Sequence, residues 1–170
     1  MRALEAMDEP QYSPSGAPEE PVRAATSDDL DDITRLYVEL RDHHRPLQPH
    51  NPRYHVADEG WARTARRALD DPRSVVLVAE EDGVVVGFVA LTFVDKPWGL
   101  SCEVGTLVVE RARRGRGHGA ALMAAAEARA RSEGAQGMRV EVLEGNQQAR
   151  AFYHRLGYGV LAQRMGKPVR

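Results

Sequence analysis

Six residues, Arg114-Gly115-Arg116-Gly117-His118-Gly119, constrain this chain more than any others. They follow the apolar run Val104-Gly105-Thr106-Leu107-Val108-Val109 and precede an alanine-rich stretch, 120–131, that reads as a helix. A strand that feeds a glycine-rich loop and then a helix presents main-chain N–H groups with no partner inside the helix. The helix dipole adds to their pull on an anion. The expected ligand is phosphorylated.

Three kinds of phosphate loop compete for this sequence. The G-x-x-x-x-G-K-[ST] loop of nucleoside triphosphate chemistry is excluded, because no Gly-Lys-Ser or Gly-Lys-Thr occurs. The dinucleotide fingerprint G-x-G-x-x-G/A is met literally by Gly115-Arg116-Gly117-His118-Gly119-Ala120. Against it stands the stretch 110–114, which separates the strand from the first glycine where that fingerprint wants a tight turn. Too little chain follows for a full dinucleotide fold. The acid that should end the next strand is missing, since Glu141 falls inside the predicted one. A dinucleotide-dependent oxidoreductase stays as the weaker alternative. The third kind is a coenzyme A loop.

Periodicity supplies the rest of the architecture. Val22 to Ala25 reads as a short strand, and Thr26 caps a helix with Asp28 and Asp29 in its first turn. Leu30, Ile33, Leu36, Tyr37 and Leu40 recur at helical spacing, and Pro46, Pro49 and Pro52 forbid that helix to continue. A second helix is predicted over 58–69. Strands follow at 75–80, 84–94 and 102–110, with an Asp82-Gly83 turn between the first two and a bulge expected at Gly87. After the loop and its helix come a strand at 138–143, a helix at 146–156 and a last strand at 158–165. The order β-α-α-β-β-β-α-β-α-β places an antiparallel meander beside a strand–helix–strand unit. The fold class is therefore α/β of the mixed-sheet, α+β kind.

Composition narrows the setting. Residues 1–21 carry Pro10, Pro14, Pro18 and Pro21 and mostly acidic charges, and read as a flexible tail ahead of one domain at 22–170. A net charge of −2 argues against nucleic acid. No apolar run is long enough for a membrane span, and the N-terminus lacks the basic start and apolar core of a signal peptide. Cys102 is the single cysteine, which excludes an intrachain disulfide and fits a cytoplasmic location. His43, His44, His50 and His55 cluster, but their spacing matches no zinc pattern, so no metal is expected.

Two motifs carry a family resemblance. The first is [RQ]-x-x-G-x-[GA], met by Arg114, Gly117 and Gly119. The second is Asn146-x-x-Ala149-x-x-Phe152-Tyr153-x-x-Leu156-Gly157-Tyr158. Over 22–165, and most clearly over 101–158, the chain resembles the GNAT superfamily of acetyl-CoA-dependent N-acetyltransferases, whose element order is also the one predicted above. The resemblance implies a GNAT-like acyl-CoA N-acyltransferase fold, acetyl-CoA as acyl donor and a primary amine on a small molecule or protein as acceptor. A homodimer is compatible with it. A CoA-binding sensor without turnover is the second alternative.

The resemblance also assigns residues. Arg114, Gly115, Arg116, Gly117, His118, Gly119 and Ala120 hold the diphosphate, mainly through the main chain. Val108 and Val109 lie along the pantetheine arm, and the Leu107 N–H faces the developing oxyanion. Asn146 and Ala149 belong to the cofactor side of the last helix, Asn146 contacting the cofactor by its side chain, capping the helix, or doing both, and Tyr153 is the candidate acid. His118 departs from the family pattern, which favours an aliphatic residue there. Glu103 is the candidate base. An amine with an ordinary pKa of about 10.4 must lose a proton before it attacks. Simple alternation puts 103, 105, 107 and 109 on one face of the strand. His44, Tyr54, Trp98 and Glu103 are the expected acceptor contacts.

Overall fold

The computed structural model describes residues 22–162. The predicted tail, 1–21, lies outside them, as does the end of the last predicted strand. The elements are β1 (Val22–Ala24), α1 (Leu30–His44), α2 (Asp58–Asp70), β2 (Ser74–Glu81), β3 (Val84–Lys96), β4 (Gly99–Val109), α3 (His118–Ser132), β5 (Gly137–Val140) and α4 (Gln147–Arg155). Single 3-10 turns precede α1, α2 and α3. The sheet runs β1-β2-β3-β4-β5, antiparallel except for the parallel β4–β5 pair. This is the mixed sheet that the sequence predicts.

Alternation along the central strands gives the sheet two apolar faces. Val76, Val78, Phe88, Ala90 and Val108 meet Ile33, Leu36 and Tyr37 of α1 and Trp61 and Ala65 of α2. Tyr37 stacks on Trp61 with centroids 5.4 Å apart and tilts against Phe88 at 4.8 Å. On the other face, Leu77, Val89, Leu91, Cys102 and Val104 meet Leu122, Met123, Ala126 and Ala130 of α3 and Tyr153 of α4. The alanines of α3 let that helix lie close to the strands.

Two bulges break the alternation. In β3 the register moves from Ala79↔Gly87 to Glu80↔Val85, so Val86 is the extra residue and the expected bulge sits beside Gly87. A Cβ on Gly87 would lie 2.8 Å from the Val108 carbonyl oxygen, which accounts for the glycine. In β4 the register moves from Ala90↔Thr106 to Leu91↔Val104, leaving Gly105 unpaired.

Two expected strands come out differently. β5 ends at Val140 rather than at residue 143, because it pairs with β4 only up to Val104, just before the bulge. The predicted strand at 158–165 is not a strand over its described part, 158–162. Nothing pairs with it there, and Val160 and Leu161 face solvent.

α1 is anchored by one buried carboxylate. Asp29 accepts from Arg23 Nη2 at 2.7 Å, from Arg23 Nη1 at 2.8 Å and from the Thr26 N–H at 2.7 Å. Arg23 first, and the Thr26 N–H with it, outweigh burial and hold the Asp29 carboxyl down at about 2. A folded-state value below the unfolded one, about 3.9, contributes stability that is complete above pH 4 and lost as pH falls through about 2. Asp29→Asn is expected to lower the melting temperature at pH 7, with the gap to wild type closing between about pH 4 and pH 2 in a thermal-unfolding series. Phe88 is fully buried, and Phe88→Ala is expected to cost about 3–5 kcal/mol in urea unfolding.

Candidate functional site

β4 leaves the sheet at Val109, makes a 3-10 turn over Arg111–Arg113, and enters α3 through two left-handed glycines. Gly115 has φ +79° and Gly117, the N-cap of α3, has φ +98°. Side chains other than glycine rarely adopt this region. Among the described residues, the N–H groups of Gly115, Arg116, Gly117, Gly119 and Ala120 donate to no acceptor, and the first loop amide inside the helical ladder is Ala121, donating to the Gly117 carbonyl at 3.0 Å. A row of unpaired donors at the positive end of a fifteen-residue helix fits a diphosphate.

The loop opens onto a split in the sheet. β4 continues to Val109, whereas β5 stays beside it only over Ser101–Val104. The Glu110 N–H donates to the Val86 carbonyl at 2.8 Å, so the main chain of Glu110 points at β3. Alternation then turns the main-chain groups of Leu107 and Val109 to the edge that β5 has left. The Val109 carbonyl accepts from Arg114 Nε at 2.9 Å. The side chains of Leu107 and Val109 pack with the α3–α4 core, and Val108 lies on the α1–α2 side.

α4 forms the far wall. Asn146 caps it, its Oδ1 accepting from the Ala149 N–H at 3.0 Å. Tyr153 sits in the α3–α4 core with its ring edge-on to Phe152 at 5.2 Å and to Tyr158 at 5.6 Å. Burial pushes its phenol up to about 12. Burial does the same to the Cys102 thiol, with Glu103 adding to it, to about 11. The two helices come close at Gly119, where a Cβ would sit in ordinary contact with the Phe152 ring at 3.4 Å.

The bulge at Gly105 corrects the placement of Glu103. Cys102 and Val104 pack with the α3–α4 core before the bulge, as Leu107 and Val109 do after it. Glu103 therefore shares its face with Thr106 and Val108, on the α1–α2 side, and not with Leu107 and Val109. Its carboxylate pairs with Lys96 Nζ at 3.1 Å.

His44 and Tyr54 come together, with ring centroids 5.3 Å apart. Burial first, then the charges of His43, Arg53 and Arg114, hold His44 down at about 4, so it is neutral at pH 7. Arg45 Nε holds the Tyr54 carbonyl at 3.0 Å, and Arg41 pairs with Asp58, which fixes the α1–α2 connection. That connection reaches the β5–α4 segment, where Leu47 Cδ2 lies 3.7 Å from the Cβ position of Gly145. Trp98 is not brought to this group. It is exposed on the β3–β4 turn beneath the Arg139 guanidinium, at the other end of β4 from the loop, roughly 30 Å away at strand rise.

Two functional neighbours carried no motif. Glu39 of α1 accepts from the Arg111 N–H at 2.7 Å and from Arg114 Nη2 at 3.3 Å. Glu81, at the end of β2, accepts from Arg113 Nη1 at 2.5 Å and Arg116 Nη1 at 2.8 Å, and lies 3.7 Å from His118 Nε2. Glu141 also differs from its prediction, standing just past the end of β5 rather than inside it. No group of three or more metal-ligating side chains forms among the described residues, and no helix there is long and apolar enough to cross a membrane.

Comparison with known proteins agrees with this geometry. The Acetyltransferase (GNAT) family profile matches residues 31–158. A search of the curated proteins finds no sequence match. A mutant of the BH1408 protein from Bacillus halodurans is 21% identical with a TM-score of 0.75, covering 88% of this chain and 99% of its own. A possible acetyltransferase from Clostridium difficile 630 is 21% identical with a TM-score of 0.73, covering 88% of this chain and 97% of its own. The enzyme AAC(6')-Iy, solved with the bisubstrate analogue CoA-S-monomethyl-acetylneamine, is 17% identical with a TM-score of 0.68 over the same shares, 88% and 97%. Among the described residues the five-stranded sheet has a single parallel strand pair, too few for a dinucleotide fold, and the oxidoreductase alternative falls. The chain belongs to the GNAT acetyltransferase family.

Proposed function

We propose that the protein transfers the acetyl group of acetyl-CoA to a primary amine by direct attack in a ternary complex. One observation carries this reading: the unpaired N–H groups of Gly115, Arg116, Gly117, Gly119 and Ala120 run on to a β4 edge that β5 has vacated. Acetyl-CoA supplies an activated acyl thioester. The loop amides and the α3 dipole bind its diphosphate. The Val109 N–H holds the pantetheine arm, and Ala149 belongs to the wall beside it. Asn146 keeps α4 in place as its cap.

The chemistry falls to three groups. The Leu107 N–H, fixed in the sheet, is the donor toward the developing oxyanion. Glu103 takes the amine proton, directly or through one water, from the α1–α2 side of the sheet. Tyr153 stays protonated at all working pH values. With its phenol near 12 and a thiol near 8.5, it serves the departing sulfur as a hydrogen-bond donor rather than as a strong acid. His44, uncharged at neutral pH, and Tyr54 line the approach of the amine without repelling a cation.

The direct test is calorimetry with CoA, followed by thiol release from acetyl-CoA across an amine panel. Heat with CoA and thiol release with at least one amine support the reading. Heat without release marks a sensor, and no heat removes the CoA site altogether. Gly117→Ala is expected to weaken CoA binding about tenfold, because the left-handed backbone costs about 1–2 kcal/mol with a side chain. Tyr153→Phe is expected to lower kcat about tenfold or more while the KM for acetyl-CoA stays within about twofold. Glu103→Gln should lower kcat/KM for the amine about tenfold or more while CoA binding stays within about twofold.

A further inference from the structure

The phosphate loop carries an unusual load of like charge. Arg111, Arg113, Arg114 and Arg116 fall within six positions, and guanidinium groups are always protonated. Packed on one loop they repel one another, and free in solution they would sample many positions around any bound anion. The structure gives three of these side chains a fixed partner. Glu81 takes Arg113 and Arg116 on the β2–β3 side, and Glu39 takes Arg114 on the α1 side. Glu39 also accepts the Arg111 main-chain N–H, which ties the start of the 3-10 turn to α1. Although desolvation works against it, the Glu81 carboxyl lies below the usual carboxylate range because Arg116 and Arg113 stand beside it. Both acids come from elements remote in sequence, and neither accepts from the unpaired amides of Gly115, Arg116, Gly117, Gly119 and Ala120.

We infer that Glu39 and Glu81 are positioning residues for the cofactor loop. They draw the guanidinium groups to its flanks, so that the diphosphate is read by fixed main-chain N–H groups rather than by mobile arginines. This rests on the CoA reading above. A hydrogen bond from a fixed amide at short range is screened by salt far less than a mobile surface charge. Releasing Arg113 and Arg116 therefore changes how binding depends on salt, which a merely structural role for Glu81 would not do.

The experiment is calorimetric titration of CoA into the full chain, as wild type, Glu81→Gln and Glu39→Gln, at about 50 mM and about 500 mM NaCl. Both glutamates are part-exposed and the substitution is isosteric, so folding is expected to survive and is checked by the melting temperature without ligand. For each variant, the loss of affinity between the two salt concentrations is expected to exceed the wild-type loss by about threefold or more. Arg113→Gln, with its guanidinium already engaged by Glu81, is expected to shift wild-type affinity by less than about threefold. A salt dependence in Glu81→Gln or Glu39→Gln that parallels wild type overturns the role of that residue. A large loss in Arg113→Gln at both salt concentrations overturns main-chain reading of the phosphate. Wild type that takes up no CoA sinks the function proposed above, a different outcome from wild type that binds alongside unaltered variants.

Discussion

A parallel strand pair that stops early governs the whole site. β5 leaves β4 after Val140, where β4 carries its extra residue at Gly105. Had the two strands stayed paired to the end of β4, every amide from Leu107 to Val109 would be spent on the ladder, and no edge would face a ligand. The bulge also reverses which side chains point to which face. As a result one strand offers main-chain donors at its free edge, apolar side chains to α3 and α4, and the Glu103 carboxylate to the α1–α2 side. A regular strand can serve two faces only in strict alternation.

The parts with local causes were legible in the sequence. Gly115 and Gly117 announce a left-handed loop, Asn146 announces a helix cap, and Asp82-Gly83 a tight hairpin, and each stands where its chemistry demands. The α1 stripe of Ile33, Leu36 and Tyr37 faces the sheet as its period requires. What stayed hidden depends on partners. A bulge at Gly105 is decided by how β3 and β4 register, and one glycine in an apolar run does not reveal it. The family resemblance groups Trp98 with the acceptor contacts, but its place at the β3–β4 turn follows from the length of β4. Glu39 and Glu81 belong to ordinary amphipathic segments, and only the fold brings them to the arginines. The strand expected at 158–165 had the right residue types but no neighbour to pair with over its described part.

Charge and burial divide the molecule into two unlike halves. On the α1–α2 side, cations are tethered: Arg23 by Asp29 and Glu80, Arg41 by Asp42 and Asp58, Arg45 by Asp42. The Arg41 and Arg45 pairs hold the connection between α1 and α2 in one arrangement, together with His44 and Tyr54 that lie in it. On the α3–α4 side the core is apolar and aromatic, and its polar atoms are few. There Tyr158 donates to Glu127 at 3.3 Å, and burial, with Glu127 and its neighbours, pushes its phenol well above the ordinary range. In the proposed ternary complex the thioester would lie against the apolar wall and the amine would approach past the polar one.

The contact between Gly119 and Phe152 sets a mechanical limit on this arrangement. The first turn of α3 and the middle of α4 are separated by no more than one methyl group's worth of space at that point. The aperture between the two signature helices thus has room for a single carbon there. Any longer branch at 119 would act as a wedge, levering α4 and its tyrosine outward from the free edge of β4, so the gauge of the slot is written in the smallest residue of the loop.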